Sequence, residues 1–416
     1  MIISPKVRGF ICTTAHPVGC AVNVSRQIEY VRKQKVFSGQ KRVLVIGAST
    51  GYGLASRIVA SFGTGAKTIG VFFEKEASNN KTASPGWYNT AAFEKAALQS
   101  GIYAKSINGD AFSTAIKQEV IDLINQDWDG KVDLIIYSLA SPRRVDPATG
   151  AVYNSVLKPI GKTYTNKTLN VLNKEVTEIS IEAANASEIE NTVKVMGGDD
   201  WALWINALNE AGVLADGVMT VAYSYIGPEI TYPVYRNGTI GKAKVHLEET
   251  AKQLDQMLKS SYNGQAFVSV NKGLVTQASA AIPVVPLYLS ILYRVMKDHG
   301  IHEGCIEQIY RLFADRLYKN SNHNKNHSSC CCECNSMPID ETGRIRIDDL
   351  EMREDIQAEV LTRWNKINTD NLEQLADLAG YRKDFYNLFG FDVDGVHYEA
   401  EVDIEAAIPS LQVEMV

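Results

Sequence analysis

An α/β fold built on a doubly wound parallel sheet is predicted by two observations. Over residues 42–140, short apolar β-branched runs alternate with helix-compatible stretches, and the runs lack a polar face, as strands covered by helices on both sides do. The first of these runs stops at a glycine-rich turn that opens a helical pattern. Together they point to a Rossmann-like sheet, with later insertions over its ligand-binding edge and a C-terminal α+β extension packed on it.

Taken in order, residues 1–41 hold VRGFICTTAHPVGC and then a helical pattern around residues 24–31, which we read as a cover packed against the sheet. His16 and Cys20 stand four apart, but Pro17 and Gly19 between them argue against a helical pair of metal ligands. Residues 43–46 (VLVI) are the first strand of the sheet, and Leu54, Ala55, Ile58, Val59 and Phe62 mark the helix after it. Gly47, Ala48, Ser49, Thr50, Gly51, Tyr52 and Gly53 therefore occupy a strand-to-helix turn. Glycines there allow backbone angles and close approaches that a Cβ forbids, and the first amides of the helix face phosphate charge. Ser49 and Thr50 add hydroxyl donors. The spacing is G-x-x-x-G-x-G, the form of short-chain reductases; by itself it also fits a tight turn with no ligand.

Residues 68–73 (TIGVFF) read as the next strand, with Phe73, Glu74 and Lys75 at its end. An acidic side chain at this place accepts from the adenosine ribose hydroxyls and repels a 2′-phosphate, so Glu74 favours NADH over NADPH, while Lys75 softens the preference. Residues 103–107 are a third strand, 114–125 a helix and 132–137 (VDLIIY) a fourth strand. Their tails put Asp110 and Ala111 at the adenine edge and Leu139 and Ala140, after Ser138, beside the cofactor. Residues 141–200 break the alternation, and their turn-rich, hairpin-like and then acidic composition suggests an insertion folded over the nucleotide domain. Arg143 and Arg144 read as solvated charges, with phosphate contacts as the alternative.

The chemistry concentrates in residues 218–258. VMTVAYSYIG is a strand ending near Tyr225, a loop with Pro228 and Pro233 follows, and GKAKVHLEETAKQLDQML is a helix whose Leu247, Ala251, Leu254 and Leu258 form one buried face. Lys244 falls on that face, and Lys242 does not. Tyr235 lies nine residues before Lys244, so on one continuous helix the two would be about 13.5 Å apart and on opposite sides. Tyr235 approaches Lys244 only from a loop bending back over the helix start, with Gly238 and Gly241 supplying the bend. A nearby ammonium lowers a phenol's pKa by favouring the phenolate, which suits a Tyr/Lys acid–base pair.

YSYIG followed by YRNGTIGKAK, together with GASTGYG, YSLASPRR, KVMGGDDW and VSVNKGLVTQASAAIP, resembles the FabV family of enoyl-[acyl-carrier-protein] reductases and trans-2-enoyl-CoA reductases over nearly the whole chain. The resemblance implies that Tyr235 is the proton donor, that Tyr225 contacts the substrate thioester and that Lys244 holds the nicotinamide ribose. It also implies cofactor contacts from Gly273, Leu274, Val275 and Thr276. The implied reaction is hydride transfer from NADH to Cβ of a trans-2-enoyl thioester, followed by tyrosine-assisted protonation. The N-terminal motif and the loops favour acyl carrier protein over CoA as the carrier, and relatives are generally monomeric. A ketoreductase would place its lysine four residues after the tyrosine, which this spacing rejects. A catalytically silent NADH sensor is the more distant alternative.

Residues 278–296 are core helix or acyl-pocket wall, and both roles are compatible. Residues 302–318 read as a helix, 354–364 and 371–378 as two more, and residues 320–336 (NSNHNKNHSSCCCECNS) depart from the family pattern. Contiguous cysteines cannot easily all reach one ion, so no metal site is expected at Cys330–Cys334. The expected division is a catalytic domain over 1–320, a flexible cysteine-rich insertion over 321–339 and an extension over 340–416 that packs beside the catalytic domain as one unit. No phosphate-cradling glycine loop occurs in that extension, so no FAD is expected. A formal net charge of −6 with 22% charged residues argues against a nucleic-acid surface. The absence of a signal-like N-terminus or a membrane-length apolar run makes a cytoplasmic protein the expectation.

Overall fold

In the computed structural model, which describes residues 1–9, 11–318 and 337–412, the alternating segments condense into one parallel sheet. The N-terminal part contributes β1 (Val7–Arg8), β2 (Ile11–Cys12) and α1 (Pro17–Lys33). Next come β3 (Arg42–Ile46), α2 (Gly51–Thr64), β4 (Lys67–Phe72), α3 (Pro85–Gln99), β5 (Ala104–Asn108), α4 (Thr114–Asp127) and β6 (Val132–Tyr137). Two antiparallel hairpins follow, β7 (Arg143–Val145) with β8 (Val152–Asn154) and β9 (Tyr164–Asn170) with β10 (Glu175–Ile181), then α5 (Ala186–Met196) and α6 (Asp199–Glu210). The chain continues through β11 (Leu214–Ser224), α7 (Thr239–Tyr262), β12 (Gln265–Val270), α8 (Val285–Asp298) and α9 (Cys305–Arg311). Beyond residue 336 lie β13 (Ile345–Arg346), α10 (Glu354–Lys366), α11 (Leu372–Leu375) and α12 (Leu378–Asn387).

Seven described strands form the main sheet, all parallel, in the order β13-β12-β11-β6-β3-β4-β5. From β3 the chain winds outward through β4 to β5, returns to β6 and winds the other way to β13. The reversal lies between β3 and β6, so the carboxyl ends of those two strands flank the crevice where such sheets bind ligands.

Side-chain alternation explains the missing polar face. Leu44 and Ile46 of β3 join Val120, Ile124, Trp201, Trp204 and Leu254 from α4, α6 and α7, while Val43 and Val45 join Val24, Ile28, Leu54, Ile58 and Ile309 from α1, α2 and α9. Full burial of each such aliphatic contributes about 1.5–3 kcal/mol, and a slip of one residue would exchange the two faces, so register is strongly specified. A third cluster is centred on α8, takes Ile356, Val360, Tyr381 and Phe385 from α10 and α12, and includes Tyr235.

Several segments differ from the sequence reading. Pro17 begins α1 instead of interrupting it, because a first helical position needs no amide donor, and His16 caps the helix by accepting from the Gly19 amide at 3.2 Å. Arg144 is not a solvated charge: it is buried, its guanidinium donates to the Lys194 carbonyl at 2.7 Å and it lies over the Phe112 ring. Arg143 is exposed. The helix expected over 302–318 starts only at Cys305 and ends in a π-turn over Leu312–Leu317. The helix expected over 371–378 is two: Ala376 is extended, and Asp377 caps α12 by accepting from the Gly380 amide at 2.8 Å. Residues 319–336, with the cysteine-rich insertion and Cys330–Cys334, lie outside the described residues. Among the described residues no helix is long and apolar enough to cross a membrane.

Candidate active site

The nucleotide side of the crevice is built by the turn after β3. Gly47 takes a φ of +86°, and a Cβ there would press on the Ser138 carbonyl of the loop after β6. A Cβ on Gly53 would collide with the Gly47 carbonyl, so the start of α2 can lie against the turn only with glycine at that position. Thr50, the N-cap of α2, makes no side-chain cap bond, and the first turn of α2 carries no acidic residue. The first amides and the positive end of the dipole are thus left for an anion. Ser49, Gly51 and Tyr52 stand in the same turn, with the Tyr52 hydroxyl donating to the Lys272 carbonyl at 2.6 Å, which ties the turn to the loop after β12. Ala48 is buried beneath it.

Glu74 follows β4 directly beside this turn, and its carboxylate accepts from the Ser49 hydroxyl at 2.7 Å. Burial raises the Glu74 carboxyl above its ordinary value, opposed by bonds from Ser84 and Ser49. The Asn108 side chain clamps its backbone at 2.9 and 3.0 Å. Phe73 lies beyond the end of β4 and is 78% exposed, and Lys75 is exposed too. Asp110 shapes its own loop by accepting from the Phe112 amide at 3.0 Å. The Ala111 carbonyl is held by Lys117 Nζ at 2.9 Å and Trp204 Nε1 at 3.1 Å. Buried Lys117 in turn pairs with Asp200 at 2.8 Å. Leu139 is half-buried and Ala140 exposed at the end of β6.

Across the crevice, Tyr235 lies in the turn before α7, as the residue spacing required. Gly238 and Gly241 serve as close-approach positions there, not as flexible joints: a Cβ on Gly241 would collide with the Arg236 carbonyl. Tyr235 is buried, its ring meets that of Tyr225 edge-on at 5.1 Å, and its hydroxyl has no hydrogen-bond partner among the described residues. Lys244 is buried in the first turns of α7 without an ion pair among the described residues, whereas Lys242 is exposed. Burial lowers the Lys244 ammonium to about 8, partly offset by Glu248. The expected lowering of the Tyr235 phenol by Lys244 is not found. Burial pushes that phenol above its ordinary value, and no ammonium counters it.

Over residues 273–276 of the loop after β12, three amides are committed within the protein: Gly273 to Glu351 at 2.7 Å, Val275 to the Tyr293 hydroxyl at 3.1 Å and Thr276 to Ser279 at 2.9 Å. Leu274 is buried between them. Tyr225 does not stand free either, since its hydroxyl lies 3.0 Å from Glu351. Glu351 and buried Lys272 escaped the sequence reading. In DDLEMRED a glutamate looks like one more surface charge, and only the packing of α8 and α10 over it reveals otherwise.

Comparison with known proteins adds to this geometry. Residues 81–318 match the family model described as the trans-2-enoyl-CoA reductase catalytic region, and residues 2–79 match the NAD(P)H binding domain of trans-2-enoyl-CoA reductase. Residues 339–402 match a model described as the enoyl reductase FAD binding domain. An enoyl-[acyl-carrier-protein] reductase [NADH] of Coxiella burnetii is 64% identical over 99% of this chain and 98% of its own length. A trans-2-enoyl-CoA reductase [NADH] of Ruminiclostridium cellulolyticum is 57% identical over 99% of this chain and all of its own length. The crystal structure of Treponema denticola trans-2-enoyl-CoA reductase in complex with NAD superposes with a TM-score of 0.90 at 53% identity, covering 97% of this chain and 98% of that one. A flavin fits the third segment poorly. Its longest helix, α10, opens with Glu354 and Asp355, charges that repel a pyrophosphate, whereas the open, acid-free start of α2 suits one.

Proposed function

The chain belongs to the family of NADH-dependent trans-2-enoyl-CoA and enoyl-[acyl-carrier-protein] reductases, and we propose that it reduces enoyl thioesters carried on acyl carrier protein, with Tyr235 as proton donor. The single observation that carries the residue assignment is the hydroxyl of the buried Tyr235, which has no acceptor among the described residues and lies in the turn leading into the helix of Lys244, itself without an ion pair among the described residues. The carrier assignment rests on the higher identity to the carrier-protein reductase than to the CoA reductase.

NADH, when bound, supplies the hydride that goes to Cβ of the enoyl thioester. The start of α2 with the Ser49 backbone and Thr50 would hold its pyrophosphate, since the Ser49 hydroxyl donates to Glu74, while Glu74 would hold its adenosine ribose and Lys244 its nicotinamide ribose. Electron density displaced toward the thioester carbonyl makes the oxygen and Cα basic. Tyr235 keeps a proton at Oη, since burial raises its pKa, and an enolate is far more basic than a phenolate. Its proton therefore stays in place until the enolate forms.

The test follows NADH oxidation with crotonyl thioesters of CoA and of acyl carrier protein, for the wild type and Tyr235→Phe, with NADPH as control. Tyr235→Phe is expected to lower kcat by about 10²–10⁴-fold, the range of a lost general acid, with NADH affinity retained. NADPH should be the poorer cofactor, and the carrier-protein thioester should show the higher kcat/KM. Wild-type protein that binds NADH tightly and turns over neither thioester would overturn the reading.

A further inference from the structure

Glu351 is fully buried in the loop between β13 and α10, where an uncompensated carboxylate would cost several kcal/mol. Three donors surround it. The Gly273 amide lies 2.7 Å from Oε2, and the hydroxyls of Tyr288 and Tyr225 lie 2.6 and 3.0 Å from Oε1. These partners come from the cofactor loop, the α8 wall and the end of the strand that leads to the catalytic turn. One carboxylate therefore links three walls of the crevice to the C-terminal segment.

Proton bookkeeping gives that link a direction. The Gly273 amide can only donate. Tyr288 lies 3.2 Å from Gln357 Nε2, which can only donate to it, so its own single proton goes to Glu351. The 2.6 Å separation is the length of a charge-assisted O–H···O⁻ bond. An ionised Oε1 has no proton to give, so Tyr225 also donates to it. The other acceptor within its reach is the neighbouring Tyr288 hydroxyl, itself bonded to Glu351, so the Tyr225 proton is held within this cluster. Burial raises the Glu351 carboxyl above its ordinary value, and buried Lys272 in the adjacent loop, with the bonds from Tyr288 and Gly273, opposes that shift.

We infer that Glu351 is a positioning residue of the reductase site: it holds the Tyr225 proton, so that Tyr225 presents only lone pairs to the crevice and Tyr235, 5.1 Å away ring to ring, is the one of the two phenols free to donate. This rests on the assignment of Tyr235 above. It divides the work of two adjacent tyrosines that the residue pattern alone leaves equivalent, and it makes the C-terminal segment part of the catalytic architecture. Glu351 does not touch substrate, and its effect passes through Tyr225.

Glu351→Gln keeps the volume but replaces an acceptor oxygen with a donor, so Tyr225 must accept and its proton is released into the crevice. The experiment is a double-mutant cycle of Glu351→Gln and Tyr225→Phe, read as kcat and KM for crotonyl thioesters, with NADH affinity by fluorescence titration and thermal melts as the check on folding. Glu351→Gln alone is expected to lower kcat about tenfold while its NADH affinity stays within threefold. In the Tyr225→Phe background it should change kcat by less than twofold. Effects that multiply independently, or a folded Glu351→Gln protein with unchanged kcat, would overturn the inference while leaving the reductase assignment standing. A wild type without turnover would overturn both.

Discussion

Lys244 is held at a cost to stability. Its ammonium is buried, and its pKa falls from 10.5 to about 8, chiefly through loss of water. A depressed lysine pKa penalises the folded state in full below about pH 8, where both states are protonated. The penalty shrinks as pH rises from about 8 to 10.5, because there the unfolded chain binds more protons. Its size is on the order of 1–3 kcal/mol. Lys244→Met is therefore expected to melt several degrees above the wild type at pH 7, with the difference narrowing toward pH 10, while NADH affinity falls. Equal melting temperatures at pH 7 would contradict this. At this scale the site was partly legible. Tyr235, Lys244 and Glu74 announce themselves by spacing and by position after strands, but Glu351 does not, since nothing local separates a buried glutamate from a solvated one.

At the scale of elements, the turn after β3, the end of β4 and the start of α3 form one packed unit. Gly86, in the first turn of α3, lies against the Glu74 carboxylate and Ser49 Cβ, and a methyl group there would displace Glu74. Gly86→Ala should weaken NADH binding about tenfold, the scale of one displaced charged hydrogen bond. Helix propensity favours alanine by about 1 kcal/mol, so the melting temperature should move by only a few degrees. A fluorescence titration of NADH and a thermal melt check both, and unchanged affinity would show that Glu74 does not need that space. Most of these elements are readable from period and punctuation. The errors fall where one residue type serves two ends: Pro17 starts a helix, and Asp377 divides two helices by capping the second.

For the whole molecule, residues 340–412 are tied to every layer. They supply β13 to the sheet, α10 and α12 to the third cluster, and Glu351 to the site. Their last stretch crosses α3, where Trp87 Nε1 donates to the Ala406 carbonyl at 2.7 Å and the Tyr88 hydroxyl to Ile404 at 2.6 Å. The Ser410 amide and hydroxyl donate to Glu94 at 2.9 and 2.8 Å, and Glu94 is buried against Arg57 at 3.5 Å. We propose that this extension is not a separable domain. A chain ending at residue 338 is expected to lose its cooperative melt and its NADH binding, and a truncated protein with both intact would refute the proposal. By itself the sequence determined the parallel sheet, the glycine turn after β3, and the places of Tyr235 before α7 and of Lys244 on its buried face, because periodicity, glycine spacing and strand ends are local properties of the chain. Only the tertiary structure decided which carboxylate holds Tyr225 and how the C-terminal segment closes the site. Those partners lie far apart in sequence, and their burial is produced by packing.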